Sequence, residues 1–193
     1  FGREFALDEW EDLALAANIM CGEIFKFAIE YSRSRKWRKT GVLWWSLLDM
    51  WPMMYNYSVV DHDMRPKQPA YDWIRCSQQP FCLMAVDTAD RAVEVFAAND
   101  TLQVCEGSYR ITAVGGNGVE EELVGDAFVV DPNASRRLVT FPCREKQELW
   151  ILKWHTGHGE GLNHFVAGQP PFEFQTYRQW VERLMQVEKG RAK

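Results

Sequence analysis

The hydrophobic pattern of this chain changes at about residue 80, and that change constrains the fold more than any other feature of the sequence. Ahead of it, apolar residues recur every three or four positions through 7–36, which predicts one long amphipathic helix. Behind it come short runs of alternating apolar and polar residues, separated by turn signals such as Gly-Gly-Asn-Gly at 115–118. The change predicts two parts of different architecture, with bounds at 1–79 and 80–193.

The second part is predicted to be a β-sandwich followed by a helix. The alternating runs lie at 81–86, 92–97, 108–114, 127–130, 137–141 and 148–154. Six or seven such strands within about 90 residues are typical of an immunoglobulin-like sandwich. A helical period returns at 174–189, directly after the rigid Pro170-Pro171 pair.

The first part contains a stretch that predicts a buried strand. Residues 40–49 are apolar almost throughout and do not alternate, as in a parallel strand that is covered on both faces. A short helix is predicted after it, at 70–78. The order helix, strand, helix is a piece of α/β architecture, and it is incomplete, because a single parallel strand leaves its backbone unpaired on both edges.

Charge and cysteine content exclude several classes of protein. The net charge is −5, so there is no cationic surplus to neutralise the phosphates of a nucleic acid. The cationic run at 33–39 follows the long helix and is interpreted as a solvated helix end. Five scattered cysteines without a Cys-x-x-Cys pair indicate a reducing compartment, and we expect the protein to be cytoplasmic. No run of 18 apolar residues occurs, so no membrane-spanning segment is expected.

Metal and cofactor chemistry find no support in the sequence. His155, His158 and His164 cluster beside Glu160, but their spacing fits no metal-ligand pattern, and the glycines between them indicate a flexible hairpin. The glycines at 115–118 are not followed by a helix, which excludes a phosphate loop. We therefore expect neither a metal nor a cofactor.

Aromatic residues at the end of the predicted buried strand are the candidates for ligand contact. The chain has nine tryptophans, and a tryptophan ring is a favoured surface for stacking against the flat apolar face of a ligand. In a (β/α)₈ barrel the active site lies at the carboxyl ends of the strands, where Trp45, Asp49 and Trp51 would stand. The competing interpretation is that Trp44 and Trp45 only pack under the helices.

Residues 41–52 read Gly-Val-Leu-Trp-Trp-Ser-Leu-Leu-Asp-Met-Trp-Pro, and this segment resembles the last barrel strand of family-two glycoside hydrolases, the β-mannosidase and β-galactosidase type. The similarity continues through Val-Val-Asp at 59–61, Arg-Pro-Lys-Gln-Pro-Ala-Tyr at 65–71 and the Asn-His…Pro-Pro-Phe stretch at 163–172. It therefore extends over almost the whole chain. Two positions depart from the family pattern: Ser46 stands for the usual Gln or Asn, and Leu48 stands where many members have Asn.

The resemblance implies an α+β chain that carries the last helix, strand and helix of a (β/α)₈ TIM barrel, then an immunoglobulin-like sandwich and a C-terminal helix. It implies the C-terminal part of a retaining β-glycosidase, an enzyme class that uses two carboxylates about 5–5.5 Å apart. In the family these come from strands upstream of everything present here, so no catalytic residue is assigned in this chain. Trp45 matches the tryptophan that stacks on substrate, Asp49 the aspartate of the motif, and Trp51 a wall of the pocket.

The expected partners follow from the same resemblance. They are an oligosaccharide or glycoside substrate, the remainder of the parent barrel, and a second copy in a homo-oligomer. The alternative is a non-catalytic module, in which the sandwich binds carbohydrate or another protein as an independent unit.

Overall fold

A computed structural model of the protein describes residues 1–53 and 57–191, with the side chains of the last helix described as far as Val187. The chain divides into two compact units. Unit 1 consists of Phe1–Ile29, Val42–Arg75 and Pro170–Lys193, and unit 2 consists of Glu30–Gly41 and Cys76–Gln169. The domain bounds expected from the sequence, 1–79 and 80–193, stay a prediction.

The three helices expected from the hydrophobic period are present. They are α1 (Trp10–Ser34), α2 (Ala70–Ser77) and α3 (Phe174–Arg191). In the part of the chain that the structure describes, none of the helices is long and apolar enough to cross a membrane.

Unit 2 is an immunoglobulin-like sandwich of seven antiparallel strands. The strands are β1 (Phe81–Asp87), β2 (Ala92–Asn99), β3 (Cys105–Gly115), β4 (Glu120–Val130), β5 (Ala134–Pro142), β6 (Glu148–Thr156) and β7 (Gly159–Ala167). One sheet has the order β1-β2-β5 and the other has the order β4-β3-β6-β7. The fourth strand thus extends the second sheet and does not close the first one. The seventh strand, β7, was not among the six runs read from the sequence.

The sandwich has a core of its own, built from the inward-facing residues of both sheets. Leu83, Val95, Ile111, Trp150 and Leu152 are all completely buried. Aromatic rings fill the space between the sheets: Trp150 packs against Phe141 and Phe165, with ring centroids 5.1 and 5.5 Å apart. Alternation along the strands is what sends these side chains to one face.

The end of α1 belongs to unit 2 and is fixed there by charge. Arg33 donates hydrogen bonds to the backbone oxygens of Ser77 and Gln79 and forms an ion pair with Asp100 at 3.0 Å. Lys36 also pairs with Asp100. Both cations are largely buried, with side chains 13% and 17% exposed, so the interpretation of this run as a solvated helix end is wrong for them.

A buried carboxylate lies in the same part of unit 2. Glu30 is 1% exposed, and its Oε1 accepts hydrogen bonds from Ser77 Oγ at 2.8 Å and Asn163 Nδ2 at 2.7 Å. Asn163 also donates to the Leu83 carbonyl at 2.7 Å, which ties the helix end to β1 and β7.

Unit 1 does not contain the strand predicted at 41–48. Residues 40–53 are irregular, with one bridge between Leu48 and Val60. Val42 and Trp44 are half-buried while Leu43 and Leu47 are 102% and 63% exposed, so only one face of the segment is covered. A parallel strand forms only by pairing with a neighbouring strand, and no strand lies beside this segment among the described residues. The expected (β/α)₈ arrangement is accordingly not seen in unit 1.

One small buried cluster of unit 1 lies between α1, α2 and the segment before α2. It consists of Ile29, Val59, Ala70 and Ile74, with Phe25 and Trp44 packed against it at a ring-centroid distance of 5.6 Å from each other.

Candidate functional site

Trp45 and Trp51 are the two tryptophans that the sequence analysis assigned to substrate, and both are open to solvent. Trp45 is 87% exposed and Trp51 is 59% exposed. Their exposure leaves the ring faces available for stacking, and the peptide bond between Trp45 and Ser46 is cis.

Asp49, the third candidate, is placed differently. Its side chain is 1% exposed. Ser58 Oγ donates a hydrogen bond to Oδ1, and the Lys67 ammonium forms an ion pair with Oδ2. Lys67 also donates to Ser58 Oγ at 2.8 Å, so the three groups form a closed network. In this structure the Asp49 carboxylate is bound by Ser58 and Lys67 inside the protein. Direct contact between Asp49 and a sugar hydroxyl stays a prediction.

Backbone hydrogen bonds join the segment that carries the tryptophans to the segment before α2. The amide nitrogens of Val59 and Val60 donate to the Leu47 oxygen at 3.2 and 2.9 Å, and Asp49 N donates to the Val60 oxygen at 3.0 Å. Lys67 N donates to the Val59 oxygen at 2.9 Å. The buried network and these bonds therefore fix the same short stretch of chain.

Sequence reasoning missed Ser58 and Lys67 as members of this site. Lys67 lay in the Pro-Lys pair of the resemblance, which marked the position without indicating its partner. The position of Asp49 in an apolar run was a signal that it has a partner of opposite charge, because a buried charged residue is rarely left without one. Nothing in the sequence singles out that partner among the 22 lysines and arginines.

Unit 1 also has an apolar cavity of about 460 Å³ outside this site. Its walls come from the chain start, α1 and α3 and include Phe1, Phe5, Leu13, Phe172 and Tyr177. Tyr177 donates its hydroxyl to Glu23 Oε1 at 2.7 Å. Burial and the neighbouring Glu23 carboxylate raise the pKa of Tyr177 well above its usual value.

The late histidines do not come together. His164 is buried in β7, whereas His155 Nδ1 lies 3.5 Å from Glu160 Oε1 at the surface. Within 1–53 and 57–191, no three His, Cys, Asp or Glu side chains are grouped as metal ligands would be. All five cysteines are free thiols.

The fold of the chain is similar to that of a known glycosidase. It aligns with the crystal structure of the β-D-mannosidase from Dictyoglomus thermophilum with a TM-score of 0.65 and 22% sequence identity. The alignment covers 78% of this chain and 19% of that enzyme, so the chain spans about a fifth of the length of the mannosidase. At this level of identity the likeness establishes a shared fold.

Comparison of the amino-acid sequence with known families and curated proteins finds no match. The chain matches no protein-family profile, and none of the curated proteins matches it.

Proposed function

We propose that this chain is the C-terminal part of a retaining β-glycosidase whose two catalytic carboxylates are contributed by polypeptide upstream of Phe1. The observation that carries the proposal is the fold likeness to a β-D-mannosidase over most of the chain. The aligned region is a small fraction of that enzyme, which is consistent with a chain that supplies one wall of a larger site.

The surface of unit 1 supports the same proposal. Met20, Ile24 and Phe27 recur at helical spacing on α1 and are each about half exposed. Leu43 and Leu47 expose a second apolar row on the segment that carries Trp45. Monomeric domains rarely leave such rows uncovered, and the remainder of a (β/α)₈ barrel would cover both.

In the proposed enzyme, Trp45 stacks on a sugar ring and Trp51 forms part of the pocket wall. The apolar C–H face of a pyranose fits a flat indole, and the exposed rings supply it. The substrate class is a β-linked oligosaccharide or glycoside. The acid/base step and the nucleophilic step belong to the upstream carboxylates.

The first test compares this chain with the longest product of the gene that contains it. Residues 1–193 alone should release no nitrophenol from nitrophenyl β-D-mannopyranoside or β-D-galactopyranoside. The longer product should hydrolyse one of them with retention of anomeric configuration, read by proton NMR. Turnover by the 193-residue chain would contradict the proposal, and so would inversion by the longer product.

The second test uses a matched pair of exposed tryptophans. In the longer product, Trp45→Ala should lower kcat/KM roughly tenfold or more, because an aromatic stacking contact contributes on the order of 1 kcal/mol beyond its buried area. Trp37→Ala is the control, since Trp37 is 73% exposed in unit 2 and lies outside the candidate site. Equal kcat/KM values for the two variants would count against the stacking role.

The alternative function, a non-catalytic carbohydrate-binding or interaction module, is favoured by one observation. The sandwich of unit 2 has its own closed core and needs no further chain to bury it. Binding of the 193-residue chain to an insoluble β-mannan that persists in Trp45→Ala would favour this alternative.

A further inference from the structure

The segment that carries Trp45 and Trp51 has no regular secondary structure, so something other than a sheet must hold it. Irregular backbone at a protein surface is usually mobile. Here three backbone hydrogen bonds from the 47–49 stretch reach Val59 and Val60. One of those bonds is donated by the backbone of Asp49 itself, and Asp49 lies between the two tryptophans in the sequence.

The buried network is the part of this segment that is most costly to rearrange. Asp49 is 1% exposed and Lys67 is 15% exposed, and a buried carboxylate is tolerated only while its charge is compensated. The ammonium of Lys67 compensates it directly, and Ser58 bridges the two. Rotation of the 45–51 segment would pull Asp49 away from both groups and separate two largely buried opposite charges.

Serine chemistry does not explain the arrangement. A hydroxyl beside a lysine resembles a nucleophile with its base, but Ser58 is completely buried and no substrate reaches it. The Asp49–Ser58–Lys67 network therefore has a structural role. It can affect the surface only through the backbone on either side of Asp49, which leads to Trp45 and Trp51.

We infer that Lys67 and Ser58 are positioning residues, which act through Asp49 to hold Trp45 and Trp51 in one orientation as a preformed sugar-stacking surface. This inference rests on the proposed function for its ligand, a β-linked saccharide. Preformed surfaces bind more tightly because the ordering cost is met during folding and not on binding. Asp49 then contributes to recognition without touching the sugar.

The test reads the two tryptophans directly, by fluorine NMR of the 193-residue chain labelled with 5-fluorotryptophan. Trp45→Phe and Trp51→Phe assign the two resonances. Trp73 and Trp180, buried in unit 1, report on the fold of that unit, and Trp150 reports on the sandwich. Lys67→Met removes the buried ammonium. Arg65→Met is the matched control, because Arg65 lies on the same loop with its side chain 74% exposed.

Lys67→Met should shift and broaden the Trp45 and Trp51 resonances and leave those of Trp73 and Trp180 in place. Arg65→Met should change none of them. Unchanged Trp45 and Trp51 resonances in a folded Lys67→Met chain would overturn the inference. If Lys67→Met unfolds unit 1, the double variant Asp49→Asn/Lys67→Met, which removes both charges, takes its place. Loss of the Trp73 and Trp180 signals in both variants would also overturn it, since the network would then hold the whole unit and not the segment.

A titration with methyl β-D-mannopyranoside separates this inference from the proposed function. If the proposed function and this inference both hold, Trp45→Ala abolishes the sugar-induced shift of the remaining tryptophan resonances. Lys67→Met then weakens sugar binding roughly tenfold. If the wild-type chain shows no sugar-induced shift, the proposed function loses its support at this surface. The resonances of Lys67→Met still decide whether the network orients the tryptophans.

Discussion

Gly161 lies opposite Trp154 in the β6–β7 pair, and the indole of Trp154 occupies the space where a side chain would stand. A Cβ atom at this position would overlap the ring. Three glycines close together, at 157, 159 and 161, predict a flexible hairpin from the sequence. In the structure Gly161 is a buried strand residue, and the absence of a side chain there is what lets Trp154 lie flat on the sheet.

We expect Gly161→Ala to lower the free energy of unfolding of the sandwich by about 2–3 kcal/mol, because a methyl group there forces Trp154 out of a packed position. Gly157→Ala should change it by less than about 0.5 kcal/mol, since Gly157 is exposed with open space around it. Urea unfolding followed by tryptophan fluorescence measures both. Equal midpoints would show that the ring has room to move.

Asn163 is a second single residue on which unit 2 depends. Its amide donates to the buried Glu30 carboxylate, and an aspartate in its place would put two carboxylates together. Asn163→Asp should cost about 3–5 kcal/mol at neutral pH. Repulsion raises the pKa of the new carboxyl in the folded state, so the loss should be smallest below its unfolded pKa and grow as pH rises through the raised value.

The measurement for Asn163→Asp is the unfolding midpoint as a function of pH. Asn163→Ala serves as one control, because it loses the hydrogen bonds without adding a charge and should show no such pH dependence. Asn117→Asp is the other, since Asn117 lies in an exposed turn. A pH-independent cost for Asn163→Asp would contradict the placement of Glu30 beside it.

The candidate site shows what residue types alone can predict. Trp45 and Trp51 were proposed because they are aromatic residues at the end of a predicted strand and match the family motif. Both are exposed, and their contact with a ligand stays a prediction. The burial of Asp49 was not foreseen, because it depends on Lys67, which lies far along the chain and meets Asp49 only after the intervening loop folds back.

At the scale of elements, α1 and α3 are linked inside unit 1 by the Tyr177 hydroxyl on Glu23. Both helices were predicted from their hydrophobic period, as were most strands of the sandwich, because alternation and turn residues are local signals. The strand at 41–48 was predicted wrongly for the opposite reason. A parallel strand forms only when neighbouring strands pair with it. The apolar run at 41–48 indicates that the segment needs covering on both faces, but it carries no information on whether neighbouring strands are present.

The Tyr177–Glu23 contact predicts an alkaline limit to the stability of unit 1. Above pH about 10 the unfolded phenol ionises, while burial holds the folded one neutral, so the free energy of unfolding should fall as pH rises further. Tyr177→Phe should make this fall less steep, at a cost of about 1–2 kcal/mol at neutral pH. Thermal melts from pH 8 to 11 measure it. A fall of the same slope in Tyr177→Phe would assign the effect elsewhere, for instance to Tyr109, whose pKa burial also raises.

At the scale of the whole molecule, the two units differ in how completely they bury their apolar surface. Unit 2 encloses a continuous core between two sheets. The buried cluster of unit 1 at α2 has four members, and leucines and tryptophans of the same unit remain exposed. A sandwich closes on itself, which is why the core of unit 2 is continuous. That residues 1–79 need further polypeptide to cover their apolar surface stays a prediction.

The exposed rows predict that the isolated chain associates with itself as its concentration rises. Leu43→Lys combined with Leu47→Lys should reduce association and binding of anilinonaphthalene sulfonate without lowering stability, because both side chains are exposed. Leu102→Lys should reduce neither, since Leu102 is exposed in a loop of unit 2. Sedimentation velocity measures the association. A wild-type chain that stays monomeric and does not bind the dye would contradict the prediction.

Buried free thiols occur in both units and can report how often each unit opens. Cys21 is buried in unit 1, while Cys82 and Cys105 are buried in unit 2. Burial raises the pKa of the Cys21 thiol to about 11, so at neutral pH it reacts with an alkylating reagent only during rare openings. The order in which these cysteines are alkylated in a single sample would therefore show which of the two units opens more often.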